Sequence, residues 1–268
     1  MKKYFSNKSF LAGISILAFL LIFLITGSIF NFHRYDEIDT LNKFAHFSSE
    51  HLFGTDHLGR DVFSRILVSL RISFSTAFIV MVSGLITGII LGAFSGFFGG
   101  ICDSIITKII DTQMSFPGIL ISLMLIAVFG NTVEITITAL YIMTIPRFTR
   151  IARSGFIKYK NSMFVTAAKS KGAGYIRILF VHILPNIMPD LTVTATLNFS
   201  LSILAESGLS YLGLGIQPPL VSFGRMLNEG QRFILQSPSN VLIPAAFLIL
   251  LVLSLNLMGD GISEVNKK

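Results

Sequence analysis

The sequence predicts an all-α, polytopic membrane protein with about six transmembrane helices. Three observations carry that prediction: the composition, the uncharged runs of membrane length, and the placement of basic residues. Of the 268 residues, 52% are hydrophobic and only 13% are charged, with a mean hydropathy of +0.74. A soluble domain carries roughly 25% charged residues, so most of this surface cannot face water, and a bilayer is the simplest place to bury it. The length also leaves no room for a second soluble domain. The lone Cys102 excludes an intramolecular disulfide.

Runs able to cross about 30 Å of hydrocarbon mark the spans in order. The first is 10–30, inside the uncharged stretch from Ser9 to Phe32. That stretch exceeds the apolar core of a cleaved signal peptide and lacks a small-residue cleavage site, so it reads as a retained helix. The second is 72–98, and the third is 112–130, after Asp111. The fourth fits only the short stretch 134–151, with Pro146 near its inner end and Arg147 and Arg150 reaching back to the headgroups. The fifth is 191–212, interrupted by Glu206, and the sixth is 240–258.

Basic residues set the orientation. Arg147, Arg150, Arg153, Lys158, Lys160, Lys169, Lys171 and Arg177 fall in one connection, and no acidic residue stands between Glu134 and Asp190. That connection is predicted inside, and Lys2, Lys3, Lys8, Lys267 and Lys268 place both termini with it. The connection 31–71, with five basic and six acidic residues, is then outside. The net charge of +7 is therefore a juxtamembrane feature suited to anionic lipid. No aromatic interleaving or separate fold points to nucleic acid.

The inside connection predicts a docking element. Asn161 or Ser162 can cap a short helix on which Met163, Phe164, Ala167 and Ala168 share a face. Gly172 can end it in the left-handed conformation, and Tyr175 to Leu184 form a second short helix stopped by Pro185. Small residues at Ala167, Ala168, Gly172 and Ala173 admit a close neighbour. The apolar face is covered either by a protein partner or by the membrane surface.

Several of these motifs resemble one family. Ala167-Ala168, Gly172-Ala173 and Ile183-Leu184-Pro185-Asn186 resemble the "EAA" loop of ABC importer permeases, with Thr166 where that family often has glutamate. Gly54-Thr55-Asp56-His57-Leu58-Gly59-Arg60-Asp61 resembles the GTDxxGRD segment of the dipeptide/oligopeptide/nickel group. Ala205 to Pro219 and Asn256 to Gly261 resemble that group's later segments. The chain is identified as a C-type member of the permease pair.

The resemblance implies a type I, MetI-like permease fold. An N-terminal part, 1–71, holds the first span and an extracellular segment. A core, 72–268, carries the cytoplasmic coupling loop at 151–189. It also implies a second homologous permease, two ATP-binding subunits and an extracellular solute-binding protein in the bacterial cell membrane. Met163, Phe164, Thr166, Ala167, Ala168, Gly172 and Ala173 would meet the ATPase. No G-x-x-x-x-G-K-[ST] motif occurs, so the chain itself is expected to hold no cofactor, with ATP bound by the partners. The cargo expected is nickel, a metal chelate, or a di- or oligopeptide. The short N-terminus and the TDHLGRD segment lean toward nickel.

Other features carry less. Gly84, Gly88, Gly92 and Gly96 recur every four residues, a pattern for close helix packing or a hinge. Glu206 is the intramembrane charge, suited to the transport pathway, to gating, or to a structural hydrogen bond. His33, His46, His51 and His57 lie in the outer segment beside Asp56 and Asp61, but their spacing matches no compact ligand set, and no metal site is expected. No enzyme signature is present. The competing reading is a secondary transporter or channel subunit without an ATPase. It calls for charges within several spans or an internal repeat, and only Glu206 stands clearly inside one.

Overall fold

The computed structural model describes residues 6–30 and 33–267, with side chains at all of these except Phe30 and Lys267. Lys2, Lys3 and Lys268, used above for orientation, lie outside the described residues. Helices dominate, and among the described residues extended pairing is limited to a bridge between Thr55 and Asp61.

Helix α1, Lys8–Phe30, starts where the Asn7 side chain accepts from the Phe10 N–H at 3.0 Å. Helix α2, Val62–Ala93, starts where Asp61 accepts from the Ser64 N–H at 2.7 Å. It extends through a π-helical turn at Phe94–Phe98. The expected domain boundary at residue 71 thus falls inside a continuous helix. The capping signal at Asp61 outweighs the charges of Arg65 and Arg71, which delimited the apolar run but do not break a helix. The N-terminal part is also not separate. A Cβ on Gly13 would lie 2.6 Å from the Ser254 carbonyl oxygen, so α1 presses directly on the last helix, α9, Ser239–Lys267. Leu20, Ile66, Leu70, Phe199, Ile203 and Leu251 join in one core.

The glycine stripe works as packing. A Cβ on Gly88 would fall on Phe148, and one on Gly92 on Ala152. These lie on α5, Val133–Tyr159, with which α2 makes its most extensive contact. Helix α5 continues well beyond the expected inner end near Pro146, which is carried inside the helix.

The third span differs most from expectation. It consists of α3, Gly100–Met114, and α4, Gly118–Phe129, meeting at 87°. Pro117 supplies no N–H and disfavours helical backbone at Phe116, so the chain breaks between them. Four helices are long and apolar enough to cross a membrane, or five with this bent pair. Helix α5 is not in that set, its second half carrying Arg147, Arg150, Arg153 and Lys158.

After α6, Met163–Ser170, the helix α7 runs over Tyr175–Tyr211. Pro185 does not stop it, contrary to the sequence reading. The preceding turn, Ile178–Ile183, is π-helical, and the widened register accommodates a proline that cannot donate. At about 1.5 Å per residue, the 37 residues of α7 reach about 55 Å, well beyond a bilayer core. A short helix not anticipated from sequence, α8, Phe223–Gln231, lies between α7 and α9.

Candidate functional site

The short helix α6 is held by its own subunit. Val165 and Ala168 turn inward, into a core with Ala93 of α2, Phe156 of α5, and Ile178, Ile183 and Ile187 of α7. The expected shared face therefore divides. Ala168 packs against its own subunit, whereas Met163, Phe164, Thr166 and Ala167 remain exposed. Ser162 is the N-cap residue, but its hydroxyl donates to the Tyr159 carbonyl at 2.7 Å and accepts from no N–H of the helix. The helix ends as expected. Gly172 has φ +79°, its N–H reaches the Lys169 carbonyl at 2.9 Å, and the Ala173 N–H reaches Ala168 at 3.0 Å. This is a Schellman motif. Beyond the bend, Tyr175, Ile176, Phe180 and Val181 extend the exposed apolar surface. Sequence reasoning missed these because the proline at 185 drew attention to a helix end that does not exist.

Glu206 is fully buried. It accepts hydrogen bonds from Ser73 of α2 at 3.0 Å and Ser210 at 2.6 Å. The Ser210 hydroxyl also accepts from the Ile216 N–H at 2.9 Å. One carboxylate thereby fastens α2, α7 and the segment after α7. Neutral hydroxyls satisfy it, and no arginine or lysine contacts it among the described residues.

Around the start of α2, Asp56 and Glu229 are interleaved with arginines. Asp56 accepts from the Leu58 and Arg60 N–H groups at 2.8 and 3.0 Å, folding the Gly54 to Asp61 segment on itself. Its other oxygen meets Arg60 at 2.7 Å and Arg65 at 3.2 Å. Glu229 of α8 receives Arg60 and Arg65, each at 2.7 Å, and Arg225 at 2.9 Å. Burial alone would raise the Glu229 carboxyl, but Arg65, Arg60 and Arg225 together hold it below the ordinary glutamate value.

A cavity of about 430 Å³ opens at the break between α3 and α4. Its walls come from that bend, from α5 at Met143 and Arg147, and from α7 at Leu201 and Leu204. Arg150 and Arg153 of α5 pair with Asp111 at 2.9 Å and Asp103 at 2.6 Å on α3. Of the two arginines expected to reach headgroups, Arg150 meets Asp111 because α3 folds alongside α5, and Arg147 lines the cavity.

Residues 88–267 match the family described as binding-protein-dependent transport system inner membrane component. The chain belongs to this family. The permease is 35% identical to the dipeptide transport system permease protein DppC of Alkalihalophilus pseudofirmus, over 98% of this chain and 86% of that protein. It is 40% identical to the glutathione transport system permease protein GsiD of Salmonella typhimurium, over 94% of this chain and 84% of that protein. An inward-facing MetNI methionine ABC transporter shares the fold, with a TM-score of 0.56 and 19% identity, covering 75% of this chain and 94% of that one. The permease is thus a MetI-type subunit of an ABC importer and a multi-pass protein of the bacterial plasma membrane. Its relatives are transporter subunits.

In this permease His51 and His57 of the 31–71 segment serve local packing. His51 Nδ1 lies 3.0 Å from Asp61, and the His57 ring stacks on Phe233 at 5.1 Å. Burial lowers the His57 pKa, with Asp56 opposing. Two groupings, His33 with Glu50 and His51, and Asp56 with His57 and Glu229, bring ligand atoms within 4.8 Å of one another. In the second, both carboxylates already serve arginines. The Arg60–Arg65–Glu229 cluster was missed in the sequence. Its only local signal was the near balance of charge across 31–71.

Proposed function

We propose that this permease forms half of the translocation pathway for di- or oligopeptides. It would work with a second homologous permease, two ATP-binding subunits and an extracellular solute-binding protein, with both termini cytoplasmic. The peptide class rests on the relatives named above, and nickel draws no support from them. The observation that carries the coupling role is the anchoring of α6. A push on Met163, Phe164, Thr166 or Ala167 is transmitted through Val165 and Ala168 to α2, α5 and α7 together. A rigid handle joined to three helices is what a motor needs to switch the pathway between two arrangements.

ATP is hydrolysed by the partners in this reading. Glu206 acts as an internal brace, and any gating effect passes through the helices it ties. Proteoliposomes containing the complex test the proposal. Dipeptide uptake should require both ATP and the binding protein. Uptake that continues without the ATPase subunits would overturn it in favour of a secondary transporter or channel. Normal assembly and unchanged uptake in Glu206→Gln would exclude a pathway role for that carboxylate.

A further inference from the structure

Among the described residues, Arg147 is the one arginine of the α5 row left without a carboxylate. Arg150 and Arg153 are each matched by an aspartate of α3. Among the described residues, Arg147 finds only the amide oxygen of Asn198, at 3.4 Å, longer than a good N–H···O bond. A guanidinium on a helix packed among membrane spans is costly unless it faces protein or a wet cavity, and there it marks a functional position. Here it faces the cavity at the α3–α4 break and, among the described residues, is that cavity's sole ionisable lining group.

The surroundings suit an anion. Met114, Phe116, Met143, Leu201 and Leu204 make apolar walls, which strengthen the field of a single charge. Gln113 is committed elsewhere, donating to the Ile142 carbonyl at 2.6 Å. About 430 Å³ lies within the range of small-ligand pockets, about 300–1,000 Å³. The planar guanidinium fork matches a carboxylate through two parallel hydrogen bonds. Asn198 is a weak neutral partner that a carboxylate displaces, and to which Arg147 returns on release.

We propose that Arg147 recognises the carboxylate of the passing substrate, and so sets a preference for peptides with a free C-terminus inside the membrane path. This rests on the peptide-importer reading above. The test uses the whole complex in proteoliposomes with its binding protein. It compares uptake of a dipeptide with uptake of its C-terminal amide, for wild type, Arg147→Gln and Arg147→Lys. The preference of the binding protein is common to all three and cancels between them.

Arg147→Gln is expected to lower dipeptide uptake at least tenfold and the amide far less, with Arg147→Lys, which keeps the charge but not the fork, recovering only part of the loss. An equal fall for both peptides, no fall, or a lysine variant no better than glutamine would overturn the inference. So would failure of Arg147→Gln to assemble with the second permease, which would assign the guanidinium to a carboxylate of that subunit. Wild-type transport that is ATP-dependent but insensitive to Arg147 removes this inference alone. Absence of ATP-dependent peptide uptake by wild type removes the peptide-importer reading and this inference with it.

Discussion

Replacing Glu229 by glutamine keeps the shape of the Arg60–Arg65–Glu229 cluster and removes its charge. Glu229 receives Arg60 and Arg65 at 2.7 Å and Arg225 at 2.9 Å, and the Arg65 side chain is only 4% exposed. Removing one partner of a buried ion pair costs about 3–5 kcal/mol. Asp56 continues to serve Arg60 and Arg65, so the low end applies, about 3 kcal/mol. At roughly 2–4 °C per kcal/mol for a chain of this size, the apparent melting temperature of the detergent-purified complex should fall by about 6–12 °C. The pH dependence has a fixed sign. The Glu229 pKa is depressed in the folded state, so its stabilisation is fully present above the unfolded glutamate value and lost as pH falls through the lower folded value. The wild type should lose this increment on acidification in that window, and Glu229→Gln should lack that part of the slope. Equal melting temperatures at neutral pH, with parallel acid profiles, would refute the claim that this cluster fastens α8 to the start of α2.

Other substitutions test separate parts of the structure. Gly88→Leu drives a side chain into Phe148 of α5 and should cost at least the roughly 1–3 kcal/mol of overpacking, read as lower recovery of assembled complex. Glu206→Leu leaves the Ser73 and Ser210 hydroxyls without their acceptor and should cost about 1–3 kcal/mol, whereas Glu206→Gln should melt within a few degrees of wild type. Gly172→Val forces a β-branched residue to φ +79°, costing about 1–2 kcal/mol. Because the bend is local, ATP-driven uptake should suffer more than thermal stability, as comparison of the two readouts would show.

The legible parts of this fold were those written in local chemistry. Uncharged length marked α1, α2 and α9, and Gly172 announced the end of α6. The four-residue glycine spacing foretold a close helix contact without naming α5 as the neighbour. What stayed hidden depends on pairings distant in sequence. Arg60 and Arg65 are neutralised by Glu229, more than 160 positions away, and no window along the chain shows that. Pro117 and Pro185 illustrate a second limit. The first breaks a helix and the second is absorbed by a π turn, and the outcome depends on what packs around each. The docking helix was visible as a segment, but Ala168 turns inward because the core beneath it comes from three other helices.

In the coupling role proposed above, an ATP-driven partner holds the permease by the exposed face of α6. A photo-crosslinking residue placed at Met163, which is 90% exposed, tests it directly in sealed vesicles of known orientation. A crosslink to the ATP-binding subunit is expected, with a yield that changes when a non-hydrolysable nucleotide is added. A residue at 163 that reacts with an impermeant reagent from the cell exterior, or that crosslinks only to lipid, would contradict it.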